Sequence, residues 1–264
     1  MPAVQSISEF RAAVDSFAVA SPGLTAEPPA LAAARRSLDT AGLVLLGEVH
    51  GVRQNPLLIF DLVQLLDINV LGLEWPSELE QTLAEYVRHG QLADHPLLWV
   101  GDGRVTAGHF AVLRDLARRP DMRFVLFAGS SYPARSTWSD IDAAMSERVL
   151  RATEPSDRAL VVAGNAHTTR QQTRSGTPLG AHLAGRRPGL ADIAIRYGAG
   201  RFFNFAERQF AANTAADGPP QLLLADGELA LQLPRADPAV VPCDGRFRTI
   251  GTGADPAPSQ PRLG

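Results

Sequence analysis

The sequence predicts an α/β fold, a three-layer sandwich around a mostly parallel sheet that is completed by a C-terminal β-hairpin. Three observations predict it. Four short runs, LVLLG at 43–47, NVLGL at 69–73, MRFVLFAG at 122–129 and ALVVAG at 159–164, are apolar without alternation, as strands covered on both faces are. Helical stretches separate these runs, and strand–helix–strand order builds right-handed parallel units. Asp226-Gly227 stands between two further apolar runs in QLLLADGELALQL at 221–233, a tight-hairpin pattern.

Taken in order, residues 1–40 read as N-terminal helices packed on the core, with helices at 6–19 and 29–40 around Ser21-Pro22-Gly23 and Pro28-Pro29. The first strand follows. Asn55-Pro56 opens a helix through Asp67, with Asn as N-cap and Pro at the first helical position. After the second strand, Ser77-Glu78-Leu79-Glu80 forms a capping-box pattern for a helix reaching His89-Gly90. The stretch 91–105 is too rich in Asp, Pro and Gly for a minimal connection and reads as a lid or specificity loop. Thr106 caps a helix through Arg118, and Ser139 starts one through Arg151, on either side of the third strand. DIAIRY at 192–197 is a fifth strand, partly polar and so placed nearer an edge. Residues 41–233 make one α/β domain ending in the hairpin, and 234–264 form a Pro- and Gly-rich tail, partly disordered.

Composition narrows the function classes. With 264 residues, 45% of them hydrophobic, the chain can bury a sizeable core. A formal charge of −3 and scattered arginines argue against a nucleic-acid partner. A single cysteine rules out a disulfide framework or Cys-rich zinc site. The first residues lack an apolar signal region and no run approaches a membrane span, so a cytoplasmic protein without a membrane partner is the expectation. Nothing indicates a nucleotide cofactor, and the oligomeric state stays open.

The strand ends carry the chemistry. In parallel sheets the ligand crevice lies beyond the carboxyl ends of the strands. There the chain delivers Glu48 and His50 after the first strand, Glu74 after the second, and Asn165 and His167 after the fourth. Arg53, in the loop after His50, is a candidate cation for a developing oxyanion. Structural roles exist for each: a Glu48–Arg53 ion pair, a loop histidine, a helix-capping carboxylate. Convergence at one sheet end favours a site. Two hydrolytic chemistries fit. In one, Glu48, His50, Glu74 and His167 hold a divalent metal ion that activates water. In the other, His50 is the general base, a carboxylate orients it, and His167 or Arg53 assists charge or leaving group. Ser130 and Ser131 raise nucleophilic catalysis as a third possibility, although Ala128-Gly129-Ser130-Ser131-Tyr132 is not a nucleophile elbow. Trp75, Asp102, Arg104, His109, Ser130, Tyr132 and Asn165 are candidates to line the pocket.

Gly-Glu-Val-His-Gly at 47–51, Gly-Leu-Glu-Trp at 72–75 and Gly-Asn-Ala-His at 164–167 together resemble the superfamily that joins erythromycin esterases, ChaN-like proteins and Tiki/TraB proteins. The resemblance spans residues 42–200. It implies an α/β core with its pocket at these strand ends and functional roles for Glu48, His50, Glu74 and His167. The branches imply different activities: water-mediated ester hydrolysis with the first His as base, metal-dependent peptidase activity, and haem binding. The expectation is therefore a hydrolase acting on an ester or amide of a small molecule or short peptide. The alternative is a non-catalytic protein binding haem or another planar ligand, with Tyr132 or a His as axial ligand.

Overall fold

The structure, a computed structural model, describes residues 3–210 and 218–245. The N-terminal part comprises β1 (Ala3–Val4), α1 (Ile7–Ser16), β2 (Thr25–Ala26) and α2 (Pro28–Ala41). There follow β3 (Leu43–Glu48), α3 (Asn55–Leu65), β4 (Val70–Pro76), α4 (Glu80–His89) and α5 (Ala107–Leu116). Next come β5 (Arg123–Ala128), α6 (Trp138–Ala152), β6 (Ala159–Gly164), α7 (Asn165–Thr168) and α8 (Leu179–Ala184). The chain then forms β7 (Asp192–Asn204), β8 (Ala206–Gln209), β9 (Gln221–Ala225), β10 (Glu228–Ala236) and β11 (Val241–Pro242).

Nine strands make the central sheet in the order β2-β9-β10-β7-β3-β6-β4-β5, with β8 pairing to β7. Neighbours from β10 to β5 are all parallel, and the β9–β10 hairpin is antiparallel. This is the expected α/β sandwich. Its two flanking layers are set by side-chain alternation along the strands. Val44, Leu46, Leu71, Leu73, Leu160 and Val162 point into the larger core with α1, α2, α3, α4 and α5. Leu43, Leu45, Val70, Val161 and Ala163 point into the smaller core with Met145 and Val149 of α6 and Leu179 and Leu183 of α8. Burial at every position of β3, with Leu, Val and Gly up to the terminal Glu48, is what two covered faces require.

Helix starts follow local chemistry, with three differences from the sequence reading. Ser6 and Thr106 cap α1 and α5 through their side chains. For α6 the cap is Thr137 rather than Ser139, in a capping box with Asp140. Asn55 is the first residue of α3 rather than its cap, because its side chain is engaged by Val49 and Tyr197. Ser77-Glu78-Leu79 forms a 3-10 turn, and no side chain caps α4.

The sheet is also larger than expected at its C-terminal side. β7 runs 13 residues and lies between β10 and β3, not at an edge. Its alternation has another cause: Ile193, Ile195 and Tyr197 enter the larger core while Ala194 and Arg196 on the opposite face are exposed. At the hairpin turn Asp226 and Gly227 have φ of 53° and 81°, the paired positive values of a type I′ turn. β10 continues past the expected end at 233 to Ala236, and Ala239, Val241 and Cys243 pack against Phe203. Leu233 and Ala236 are buried there, so the apolar register outlasts Pro234. The rest of the expected tail, 246–264, lies outside the described residues. No helix among the described residues is long and apolar enough to cross a membrane.

Candidate active site

β6 lies between β3 and β4, so the three strand ends that carry candidate residues are adjacent. Glu48 closes β3 opposite Gly164 of β6 in the ladder. The register of β4 against β5 shifts between Leu73 and Pro76, and such a bulge re-aims side chains at the strand end. Glu74 sits within it. Its Oε2 accepts the backbone N–H of Gly164 at 2.7 Å.

Two imidazoles converge on this buried carboxylate. His50 Nε2 is 3.7 Å from Glu74 Oε2, and His167 Nε2 is 3.7 Å from Glu74 Oε1. Each histidine is held from behind by a second carboxylate. His50 Nδ1 is 3.0 Å from Glu48 Oε1, and His167 Nδ1 is 2.6 Å from Asp142 Oδ1. A carboxylate at Nδ1 selects the tautomer protonated there and leaves Nε2 as the reactive nitrogen. Gly164 makes room for the arrangement: a Cβ there would lie 3.2 Å from His50 Nε2.

The cation of the site is Arg104. Its Nη1 donates to Glu74 Oε1 at 3.2 Å, and its Nε donates to Asp102 Oδ2 at 2.6 Å. Burial disfavours that charge, but Asp102 and Glu74 outweigh burial and raise the guanidinium pKa further. Burial also pushes Glu74 and Asp102 up. For Glu74 the opposing charges of His167, His50 and Arg104 win, and for Asp102 that of Arg104 wins, so both carboxylates stand below their ordinary values. For His50, burial lowers the pKa while the Glu48 hydrogen bond and the Glu74 charge raise it. The net direction is upward.

Backbone contacts bring Asp102 and Arg104 to this place. Gly51 has φ +77°, and a Cβ there would fall 1.8 Å from the Phe203 carbonyl oxygen; only glycine meets both demands. Its N–H donates to the Gly103 carbonyl, and its own carbonyl accepts from Phe203 and Ala239. The 91–105 stretch is thus fastened to β7 and the C-terminal segment, with Leu98, Trp99, Gly101 and Asp102 buried. Residues 98–103 form part of the packed body of the domain. Trp75 does not line an open pocket; it is buried and its Nε1 donates to the Arg104 carbonyl at 2.9 Å.

The remaining candidates fall around or away from the cluster. Arg53 is exposed, 5.7 Å from the centre of the Phe17 ring, and the structure does not bring it to the imidazoles. His109 is buried edge-on to Trp75, bonded to Thr106 Oγ1, and burial lowers its pKa to about 4. Ser130 is exposed and bonds Glu78 rather than an imidazole. Tyr132 Oη accepts the Gly129 N–H at 2.9 Å. Asn165 is exposed at the start of α7.

Two further side chains contact His167. Asp142 is fully buried, and its second oxygen accepts the Leu179 N–H at 2.9 Å. Trp138 stacks on the His167 ring, 4.3 Å between centroids and 9° between planes. The signal for Asp142 was available. Asp142, Met145, Ser146 and Val149 are the buried residues of α6, and their i, i+3, i+4, i+7 spacing puts a carboxylate on the inward stripe.

Glu48, His50, Glu74 and His167 supply some or all of the ligands in the metal-dependent alternative. Among the described residues no group of three or more His, Cys, Asp or Glu side chains is disposed to hold a metal ion. The positive partner of Glu74 is the Arg104 guanidinium.

No family model and no curated protein matches the sequence. Solved structures do resemble it in fold. A protein from Bacillus cereus superposes with a TM-score of 0.58 at 12% identity, over 90% of this chain and 100% of the other. A protein described as a succinoglycan biosynthesis protein gives 0.54 at 12% identity, over 90% and 99%.

Proposed function

We propose that the protein is a metal-independent hydrolase of an ester or amide bond in a small molecule or short peptide, related to the erythromycin esterase, ChaN and Tiki superfamily. One observation carries this reading: two imidazoles, each with a carboxylate at Nδ1, present Nε2 to the two oxygens of one buried glutamate. The order of Glu48, His50, Glu74 and His167 along the strands supports the relationship. A structural ion-pair network has no need of two oriented Nε2 atoms.

The chemistry balances on these side chains. His50 Nε2 takes a proton from water as the water oxygen attacks the carbonyl, and Glu48 stabilises the imidazolium. Arg104, with N–H groups beyond those spent on Asp102 and Glu74, faces the developing oxyanion. On collapse of the tetrahedral adduct, His167 Nε2 gives a proton to the departing oxygen or nitrogen, and Asp142 keeps the ring oriented. His50 is then protonated and His167 is not. Glu74, 3.7 Å from both Nε2 atoms, lies on the route that returns the proton. Haem ligation is less well supported, because Tyr132 Oη is engaged by Gly129 and both histidines face Glu74.

The test is a panel of small esters and amides assayed with wild type, His50→Ala and His167→Asn. Either substitution is expected to lower kcat by roughly 100- to 10,000-fold. An activity that survives His50→Ala unchanged would sink the reading.

A further inference from the structure

Trp138 is one of three exposed large hydrophobic residues, with Phe205 and Leu224, among those described, and it retains 38% of its surface. It lies against the candidate site. One face of its indole is closed by the His167 ring at 4.3 Å and 9°, so the exposed area belongs to the rest of the ring. α6 holds it firmly: Trp138 is the first helical residue, inside the Thr137–Asp140 capping box, and Asp142, one turn on, grips the same imidazole. A rigid indole open to solvent beside a catalytic imidazole is what a substrate wall requires.

We propose that Trp138 is a specificity residue whose indole, where it extends beyond the imidazole that partly covers it, stacks against a ring carried by the leaving group, so that the substrate is an ester or amide of a ring-bearing alcohol or amine. This rests on the hydrolase reading, in which His167 protonates the leaving atom. Because the indole lies parallel to that imidazole, a group departing in the imidazole plane from His167 Nε2 runs over the same side of the indole, past the imidazole edge, whereas the acyl part lies toward His50 and Arg104. Aromatic and alicyclic rings gain both apolar burial and face-to-face contact there, and an open-chain alkyl group gains less.

The experiment compares benzyl acetate with ethyl acetate, and methyl phenylacetate with methyl acetate, in wild type, Trp138→Ala and Trp138→Phe. Wild type is expected to prefer benzyl over ethyl acetate by at least about tenfold in kcat/KM, a gain typical of one aromatic contact. Trp138→Ala brings that ratio close to one, and Trp138→Phe keeps most of it. The ratio for the acyl-ring pair does not move. A role confined to holding His167 would slow both acetates equally and leave the benzyl-to-ethyl ratio intact; that result, or Trp138 dependence of the acyl-ring pair, overturns the proposal. Benzyl alcohol titrated into His50→Ala, with tryptophan emission as readout, gives an activity-free arm, since Trp75 and Trp99 are buried. Saturable quenching that disappears in the Trp138→Phe, His50→Ala double variant supports the platform even if no ester is cleaved. Hydrolysis with a flat ratio and no quenching removes the platform and leaves the hydrolase reading standing.

Discussion

Asp142 and His167, 25 positions apart in the chain, meet at 2.6 Å between Oδ1 and Nδ1. The other oxygen of Asp142 takes the backbone N–H of Leu179, so one fully buried carboxylate orients a candidate acid and starts α8. Its two duties can be separated by substitution. Asp142→Asn preserves shape but offers the wrong group to Nδ1, and is expected to lower kcat by roughly 100- to 10,000-fold while the fold persists. Asp142→Ala adds an unpaired buried N–H and an unpaired imidazole, costing about 1–3 kcal/mol per orphaned group. Steady-state kinetics and thermal melts of the two variants check this.

The pH dependence of His50 has a definite sign. Its folded pKa lies above the ordinary value of 6.5, so its stabilising contribution is fully present below the unfolded pKa. That contribution is lost as pH rises through the folded pKa. Only the neutral ring can act as base, so the acid limb of the rate profile falls above 6.5. Glu48→Gln replaces the charged acceptor at Nδ1 with a neutral one and moves that limb to lower pH, alongside a loss of rate. A kcat/KM profile of both proteins reads the shift; a limb that stays put would show that Glu48 does not set it.

His109 behaves in the opposite sense. Its folded pKa of about 4 lies below the ordinary 6.5, so between those values the unfolded chain binds more protons than the folded one. Stability therefore declines as pH falls through this window. Ring-proton NMR titration is expected to show His109 neutral down to about pH 4. The pH slope of unfolding is expected to flatten in His109→Leu.

Gly47 tests how closely β3 abuts α7. A Cβ there would approach Thr168 Oγ1 to 2.4 Å and Asn165 Oδ1 to 2.7 Å. Gly47→Ala is expected to destabilise by about 1–3 kcal/mol through overpacking. Urea unfolding should show a lower midpoint at unchanged slope.

Legibility followed the range of the interactions involved. Glu48, His50, Glu74 and His167 stand directly after apolar runs, and strand ends of a parallel sheet converge by construction, so pattern alone located them. Arg53 was the nearest cation in the chain, yet it lies over Phe17, and the cation at Glu74 is Arg104. That exchange depends on the backbone junction at Gly51 and Gly103, which no local pattern encodes. Asp142 was readable only as a polar residue on a helical stripe that should be apolar. The partly polar β7 misled for a physical reason: one face is packed on the core and the other exposed, so alternation reported face coverage and not position in the sheet.

The junction at Gly51 also orders events in time. The Gly51 carbonyl is completed by N–H groups from Phe203 and Ala239, both of which leave the ribosome long after His50. A nascent chain carrying every side chain of the cluster through His167 still lacks the partners that hold the loop after β3. Chains emerge N-terminus first, so the full set of hydrogen bonds to the Gly51 carbonyl forms only once synthesis has passed residue 239.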